Sequence, residues 1–400
     1  MSAEREGNVG WARLDSKLWT WGANSYGQLG QGHCDDKSVP VGWTVRGFTV
    51  GRVVCGGGHS LIITENGQLW SCGSNSHGQL GLGMTENTSE FHKIDFPKAV
   101  CVDQVAAGWD FTLASTRTGE LYGWGSNAYG QLGLGQHSGY ITAPVRVPIT
   151  GEEKFTGEEK VTGGEKVEAM SAGLRHTVVL TDSGRVMSCG DCRKGQLGLG
   201  FTGKSINSLT QVTFPSNAGR VAQITAGAFH TAALTEHNQI LIWGCNKYGQ
   251  STQDPKVTKR VLSPFVVDMK LFCSKVRQLR SGWTHLVAIT DNNAVYSWGR
   301  GDYGQLGRSY DRALCHRPES VPGLAALDVC CGSEHNLAIT ENHELFAWGW
   351  NEHGMCGNGS EENLIHPQKI KILSDLKTLS ITCGAGHSFA MACGWNDTVK

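Results

Sequence analysis

Two sets of residues in this 400-residue chain have types and spacings that could do chemistry. Cys189 and Cys192 stand in "CGDC", the x-x spacing of a redox pair or of half a zinc site. Histidine recurs behind one short motif at His59, His176, His230, His285, His335 and His387, and imidazoles in such number could ligate a metal. Neither set is completed by what surrounds it. No second CxxC accompanies the first, and no Ser/His/Asp triad, phosphate-binding P-loop or paired metal motif stands out. An ordinary enzyme, a metal and a cofactor are therefore not expected.

The elements that carry these residues are repeats, and a search for internal repeats precedes any other assignment. "WGANSYGQLG" (21–30) returns six more times, with its leading glycine at Gly22, Gly73, Gly125, Gly190, Gly244, Gly299 and Gly349, at spacings of 51, 52, 65, 54, 55 and 50. The preceding residue is Trp21, Trp124, Trp243, Trp298 or Trp348 in five copies, and Cys72 or Cys189 in two. A second motif, G-x-x-H-x-x-x-x-T, keeps step with the first. Its histidine slot, filled by Phe111 in one copy, lies 14 residues before the next WG glycine in all six complete copies.

Turn signals such as "ENG" (65–67) and "DSG" (182–184) separate apolar β-type runs such as "HTVVLT", so the 14-residue unit is a β-hairpin. A short strand before it and a weaker one after it make four strands per period of about 50 residues. Seven such periods predict an all-β, seven-bladed propeller of four-stranded blades. The first WG strand has no GxxH strand before it and the last GxxH strand has no WG strand after it, so N- and C-terminal strands are expected to share one blade and leave no open edge. Residues 18–393 form the propeller in this reading. Residues 1–17 read as a flexible N-terminal segment, 394–400 as a tail, and the charged repeat "GEEKFTGEEKVTGGEK" (151–166) as a disordered insert.

Within this frame the histidines become scaffold. Seven-fold spread holds them far beyond metal-ligand distances, and each is expected to be a buried imidazole bonded to neighbouring loop backbone. The WG tryptophans pack between blades, and Trp70 is expected to fill the gap at Cys72. The two residues inside each GxxH motif remain free to vary at a loop on one face of the disc. They include Trp109, Asp110, Arg175, Phe229, Trp283 and Glu334, the aromatic-plus-charge composition of a protein-binding hot spot; the alternative is that the rings tuck into the central channel.

Composition narrows the partners. Lys+Arg 35 against Asp+Glu 36 leaves a net charge of -1, which disfavours nucleic acid and anionic membrane. No apolar stretch is long enough to span a bilayer, and the start has no apolar targeting core. Fourteen cysteines in a chain of this length read as reduced packing residues, so a cytoplasmic protein is expected.

The phased WG-x4-GQLG and AGxxHT motifs resemble the regulator of chromosome condensation family across nearly the whole chain. Irregular runs, among them "GWDFT" (108–112), "WGRGDYGQLGR" (298–308), "WGWNEHGMCGNG" (348–359) and "CGAGHSFAMAC" (383–393), are similar to a branch of that family linked to regulated secretion. The resemblance implies a guanine nucleotide exchange factor acting on or beside a small GTPase, or else a non-catalytic scaffold for an exocyst subunit, monomeric, cytoplasmic and partly nuclear. In the chromatin-bound member the GxxH loops face the GTPase and acidic residues in the two-residue slot take part in exchange. The matching slots here hold Asp110 and Glu334. That member's projecting wedge and basic tail have no counterpart in this sequence, where every WG motif runs into a short loop.

Overall fold

The computed structural model describes residues 17–43, 47–149, 165–309 and 314–395. The expected segments at 1–16, 150–164 and 396–400 lie outside the described residues. Of the charged insert, Glu165 and Lys166 are described: Glu165 pairs with Arg185 at 2.5 Å, and the Lys166 amide donates to Asp182 at 3.1 Å.

Blade 1 shows how the repeat becomes structure. Val50–Cys55 is the innermost strand, His59–Thr64 and Leu69–Gly73 form the hairpin, and Thr88–Lys93 is the outer strand. His59–Thr64 is buried at every position, whereas the outer strand buries only Phe91. A strand clamped between neighbouring blades is apolar on both faces, while the outer strand meets water on one side. Blades 2, 3 and 4 repeat the order over 102–147, 167–211 and 221–266. Blades 5 and 6 are joined in one seven-stranded sheet by the long strand Leu314–Cys331. Its first part pairs with Ala294–Arg300 as an outer strand, and its second part with His335–Thr340 as an inner one.

Blade 7 closes the ring. Lys17–Gly22 pairs antiparallel with His387–Gly394, from Lys17 opposite Ala392 to Gly22 opposite His387. Lys37–Trp43 flanks it outside and Leu376–Cys383 inside. The chain thus forms the expected seven-bladed propeller with both ends in one sheet, which removes the free edge.

The repeated residues hold blade to blade through one recurring contact. Each WG indole donates to a carbonyl in the preceding blade's GQLG loop: Trp21 to Met355 (2.8 Å), Trp124 to Gln79, Trp243 to Gln196 and Trp298 to Gln250 (2.9 Å each), and Trp348 to Gln305 (3.1 Å). Where cysteine stands instead, its thiol faces the same carbonyl: Cys72 to Gln28 at 3.7 Å and Cys189 to Gln131 at 3.5 Å. Phe91, not Trp70, fills the space at Cys72. A Cβ on Gly30 would meet the Phe91 ring at 2.2 Å, in the place where a Cβ on Gly81 would meet the Trp124 indole at 2.8 Å. Trp70 stacks on Phe48 instead, with centroids 4.5 Å apart.

The histidines also bridge blades, and their partners are side chains of the next blade, not loop backbone as expected. His59 meets Thr112 (2.9 Å), His176 meets Thr231 (3.0 Å), His285 meets Asn336 (2.8 Å), His335 meets Ser388 (3.0 Å) and His387 meets Ser60 (2.9 Å). The tautomer follows from the partners. Thr112 donates its only hydroxyl proton to the Gln79 carbonyl at 2.9 Å, so it must accept from His59 Nε2–H. Asn336 likewise donates its amide to Gln305 and offers Oδ1 to His285. His230 has no such partner on either nitrogen, because Leu286 stands where the other blades carry Thr, Ser or Asn. Each imidazole lies back on the glycine three residues earlier, where a Cβ on Gly56 would fall 2.3 Å from the His59 ring.

Candidate partner-binding face at the channel mouth

The inner strands of all seven blades end in the GxxH loops, and these loops ring the mouth of the central channel. Backbone bonds tie loop to loop around it: Gly57 to Gly108 (3.0 Å), Ala228 to Trp283 (3.0 Å), Trp283 to Ser333 (2.8 Å) and Ala385 to Gly56 (3.0 Å). The two-residue slots are thus presented on a rigid rim, which suits precise recognition.

Trp109 of blade 2 and Trp283 of blade 5 meet across that mouth, with ring centroids 5.1 Å apart and planes inclined by 59°. The Trp109 ring and carbonyl lie against Gly57, where a Cβ would come within 2.7 Å of the indole. Trp109 remains 42% exposed. The two sequence-level alternatives therefore merge, since the rings line the channel mouth and one of them still presents an aromatic surface. Phe229, in the same ring of slots, is half-buried.

The two acidic slots differ sharply. Glu334 is only 5% exposed. It accepts from Thr284 at 2.6 Å and Gln305 at 2.7 Å, with His285 at 3.7 Å and Arg300 at 3.8 Å. Glu334 is a positioning carboxylate and drops out of the exposed set. Asp110 is half-buried; its Oδ1 is itself buried and has no hydrogen-bond partner. Burial raises its carboxyl above the usual range, with His77, Ser126 and Arg175 pulling the other way.

Arg175 donates to the Tyr129 hydroxyl at 2.8 Å and lies 4.6 Å from that ring's centroid, and Arg193 lies 5.1 Å from the same ring. Arg300 sits 4.5 Å from Tyr303 and 5.1 Å from Tyr248. These cation–π contacts cluster at the GQLG-type loops of three blades, and the motifs alone did not point to them. Their signal was in the residue before each GQLG-type loop: tyrosine at 26, 129, 248 and 303, histidine at 77 and 353, lysine at 194.

The "CGDC" pair finds no chemistry. Cys189 occupies a WG slot, and Cys192 faces the Phe201 carbonyl at 3.5 Å. Burial pushes both thiols up, opposite to what a redox-active thiolate needs. Among the described residues no three His, Cys, Asp or Glu side chains are grouped to hold a metal, and no helix is long and apolar enough to cross a membrane.

Comparison with known proteins follows the same line. Residues 17–390 match the family model of the RCC1-like domain. The chain is 36% identical to the secretion-regulating guanine nucleotide exchange factor of Bos taurus over 94% of its own length and 82% of that protein's. The Mus musculus protein of the same name is also 36% identical, with 94% and 83% covered. The yeast RCC1 (Prp20) structure, solved with Kap60 bound, superposes with a TM-score of 0.83 at 21% identity over 99% of this chain and 96% of that one. With a family model matched over residues 17–390 and a relative 36% identical over 94% of the sequence, this chain belongs to the RCC1-like domain family.

Proposed function

We propose that this chain is a guanine nucleotide exchange factor-like propeller acting on or beside a small GTPase in regulated secretion, with the channel-mouth face as its contact surface. The observation that carries the proposal is the two-residue slot of blade 2, where Trp109, 42% exposed, stands beside the half-buried carboxylate of Asp110 on a loop tied into the rim. Likeness to the secretion-regulating exchange factors over 94% of the chain supports it. Exchange makes and breaks no covalent bond. A small GTPase holds its nucleotide mainly through phosphate contacts to Mg²⁺ and a lysine, so an acidic group from outside competes for that lysine while the aromatic pair anchors a displaced switch segment. The protein works as a monomer in the cytoplasm, with a share in the nucleus.

The test is release of fluorescent GDP from a panel of Ran-, Rab- and Ral-class GTPases at micromolar propeller. Acceleration on one class, reduced at least tenfold by Asp110→Asn, is the expected result; release rates unchanged across the panel would remove exchange as the function. A second reading is a non-catalytic scaffold for an exocyst subunit. It is favoured by the WG loops, which among the described residues run to the outer strand without an inserted strand pair. A pull-down in which the Trp109→Ala, Trp283→Ala double variant still captures the subunit would move that contact off this face.

A further inference from the structure

Four cysteines gather where blades 6, 7 and 1 meet: Cys330 and Cys331, Cys383, and Cys55. Three of them, Cys55, Cys331 and Cys383, hold the same register position, the residue before the GxxH glycine, and line the channel. Cys330 sits one residue earlier, at the position of Ser171 in blade 3 and Thr225 in blade 4. Those hydroxyls reach the next blade: Ser171 accepts from the Ala226 amide at 2.9 Å and Thr225 from the Ser281 amide at 3.0 Å. The blade-to-blade geometry therefore directs this side chain at the neighbour's channel-lining position. Between blades 6 and 7 both positions are cysteine, and Cys330 Sγ lies 3.0 Å from Cys383 Sγ.

The geometry points to Cys330 and Cys383 as a reversible disulfide site that staples blade 6 to the closing blade, formed by exchange with a small disulfide such as oxidised glutathione. One thiol loses its proton and attacks the small disulfide, giving a mixed disulfide and one glutathione thiol. The second protein thiol then displaces the second glutathione. Two protein thiols are oxidised, one glutathione disulfide is reduced, and the two thiol protons end on the two glutathiones. Burial raises both protein thiols, so exchange near neutrality is slow. Cys189 and Cys192 differ in geometry: each faces a carbonyl, not the other.

The staple would act on the one blade assembled from both ends of the sequence, whose two halves are joined by strand pairing and packing and not by a connecting turn. A cross-link between residues 53 apart restrains the unfolded chain, and for a protein of this size a rise in melting temperature of about 5 °C is expected. The experiment incubates the full chain with oxidised glutathione, blocks free thiols with N-ethylmaleimide, and identifies linked peptides by mass spectrometry. Expected are one peptide pair joined through Cys330 and Cys383, its loss in Cys330→Ser and Cys383→Ser, and a melting rise that dithiothreitol reverses. Serine already occupies these positions at Ser171 and Ser281, so both variants keep the fold. Recovery of both thiols as maleimide adducts, glutathione mixed disulfides alone, or Cys383 joined to Cys55 would overturn the assignment.

Discussion

Protonation is the perturbation to which the histidine belt is most exposed. Burial lowers His59, His230, His335 and His387 to about 3 and His176 to about 4. The unfolded chain titrates near the ordinary 6.5, so below that pH it binds protons that the folded state refuses. The stability these groups contribute is fully present above about pH 6.5 and is lost as the pH falls toward 3 to 4. At pH 5.5 the loss is on the order of 1 kcal/mol per histidine, and several kcal/mol for the five together, a large share of the stability of an ordinary domain. Steep acid unfolding near pH 5 follows. His230→Phe isolates one fifth of the effect. His230 makes no hydrogen bond that the change could break, and Phe111 already fills the equivalent slot, its ring 2.1 Å from a Cβ on Gly108 as the His230 ring is from one on Gly227. Denaturant unfolding at pH 7.5 and 5.5 should show the variant losing about 1 kcal/mol less than the parent between the two pH values. Any packing change from the larger ring cancels in that difference. A difference under about 0.5 kcal/mol would refute the claim that the belt is neutral because it is buried.

Three further perturbations probe other parts of the design. Thr112→Val keeps the shape but leaves the His59 Nε2–H without an acceptor, while Gln79 keeps the Trp124 indole; a loss of about 1–3 kcal/mol in unfolding free energy is expected. Thr252 replaces the last GQLG glycine at φ 67, a strained setting for a β-branched residue, so Thr252→Gly should raise stability by about 1 kcal/mol, read as a shifted denaturant midpoint. The two acidic slots should respond differently. Glu334→Gln turns an amide toward the Gln305 donor and weakens the tie to Arg300, costing about 2 kcal/mol of stability, whereas Asp110→Asn should leave the melting curve within about 0.5 kcal/mol and act on partner contact alone.

Much of the fold was legible because one packing problem is solved seven times. The indole of each WG motif needs a carbonyl in the previous blade, and the imidazole of each GxxH motif needs a bare glycine beneath it, so both motifs recur in fixed phase. What could not be read is what neighbours decide. Phe91 fills the gap at Cys72 from an outer strand 19 residues away in sequence, and nothing local distinguishes it from Trp70. The histidine partners follow a rule visible only once blade order is known, since the residue after the histidine slot of one blade serves the histidine of the blade before.

The same dependence on neighbours separates scaffold from site. Asp110 and Glu334 hold equivalent positions, yet Glu334 is surrounded by Thr284, Arg300 and Gln305 of blade 5 and its charge is absorbed there. Among the described residues Asp110 has His77 and Arg175 as charge partners and Ser126 as a hydrogen-bonding neighbour, and Arg175 is already bonded to Tyr129. A repeat architecture buries whatever is common to its repeats, because the common residues are those that meet the common neighbour. Under the proposed function, recognition draws on departures from the repeat, and on this face Asp110 and the Trp109 and Trp283 pair are such departures.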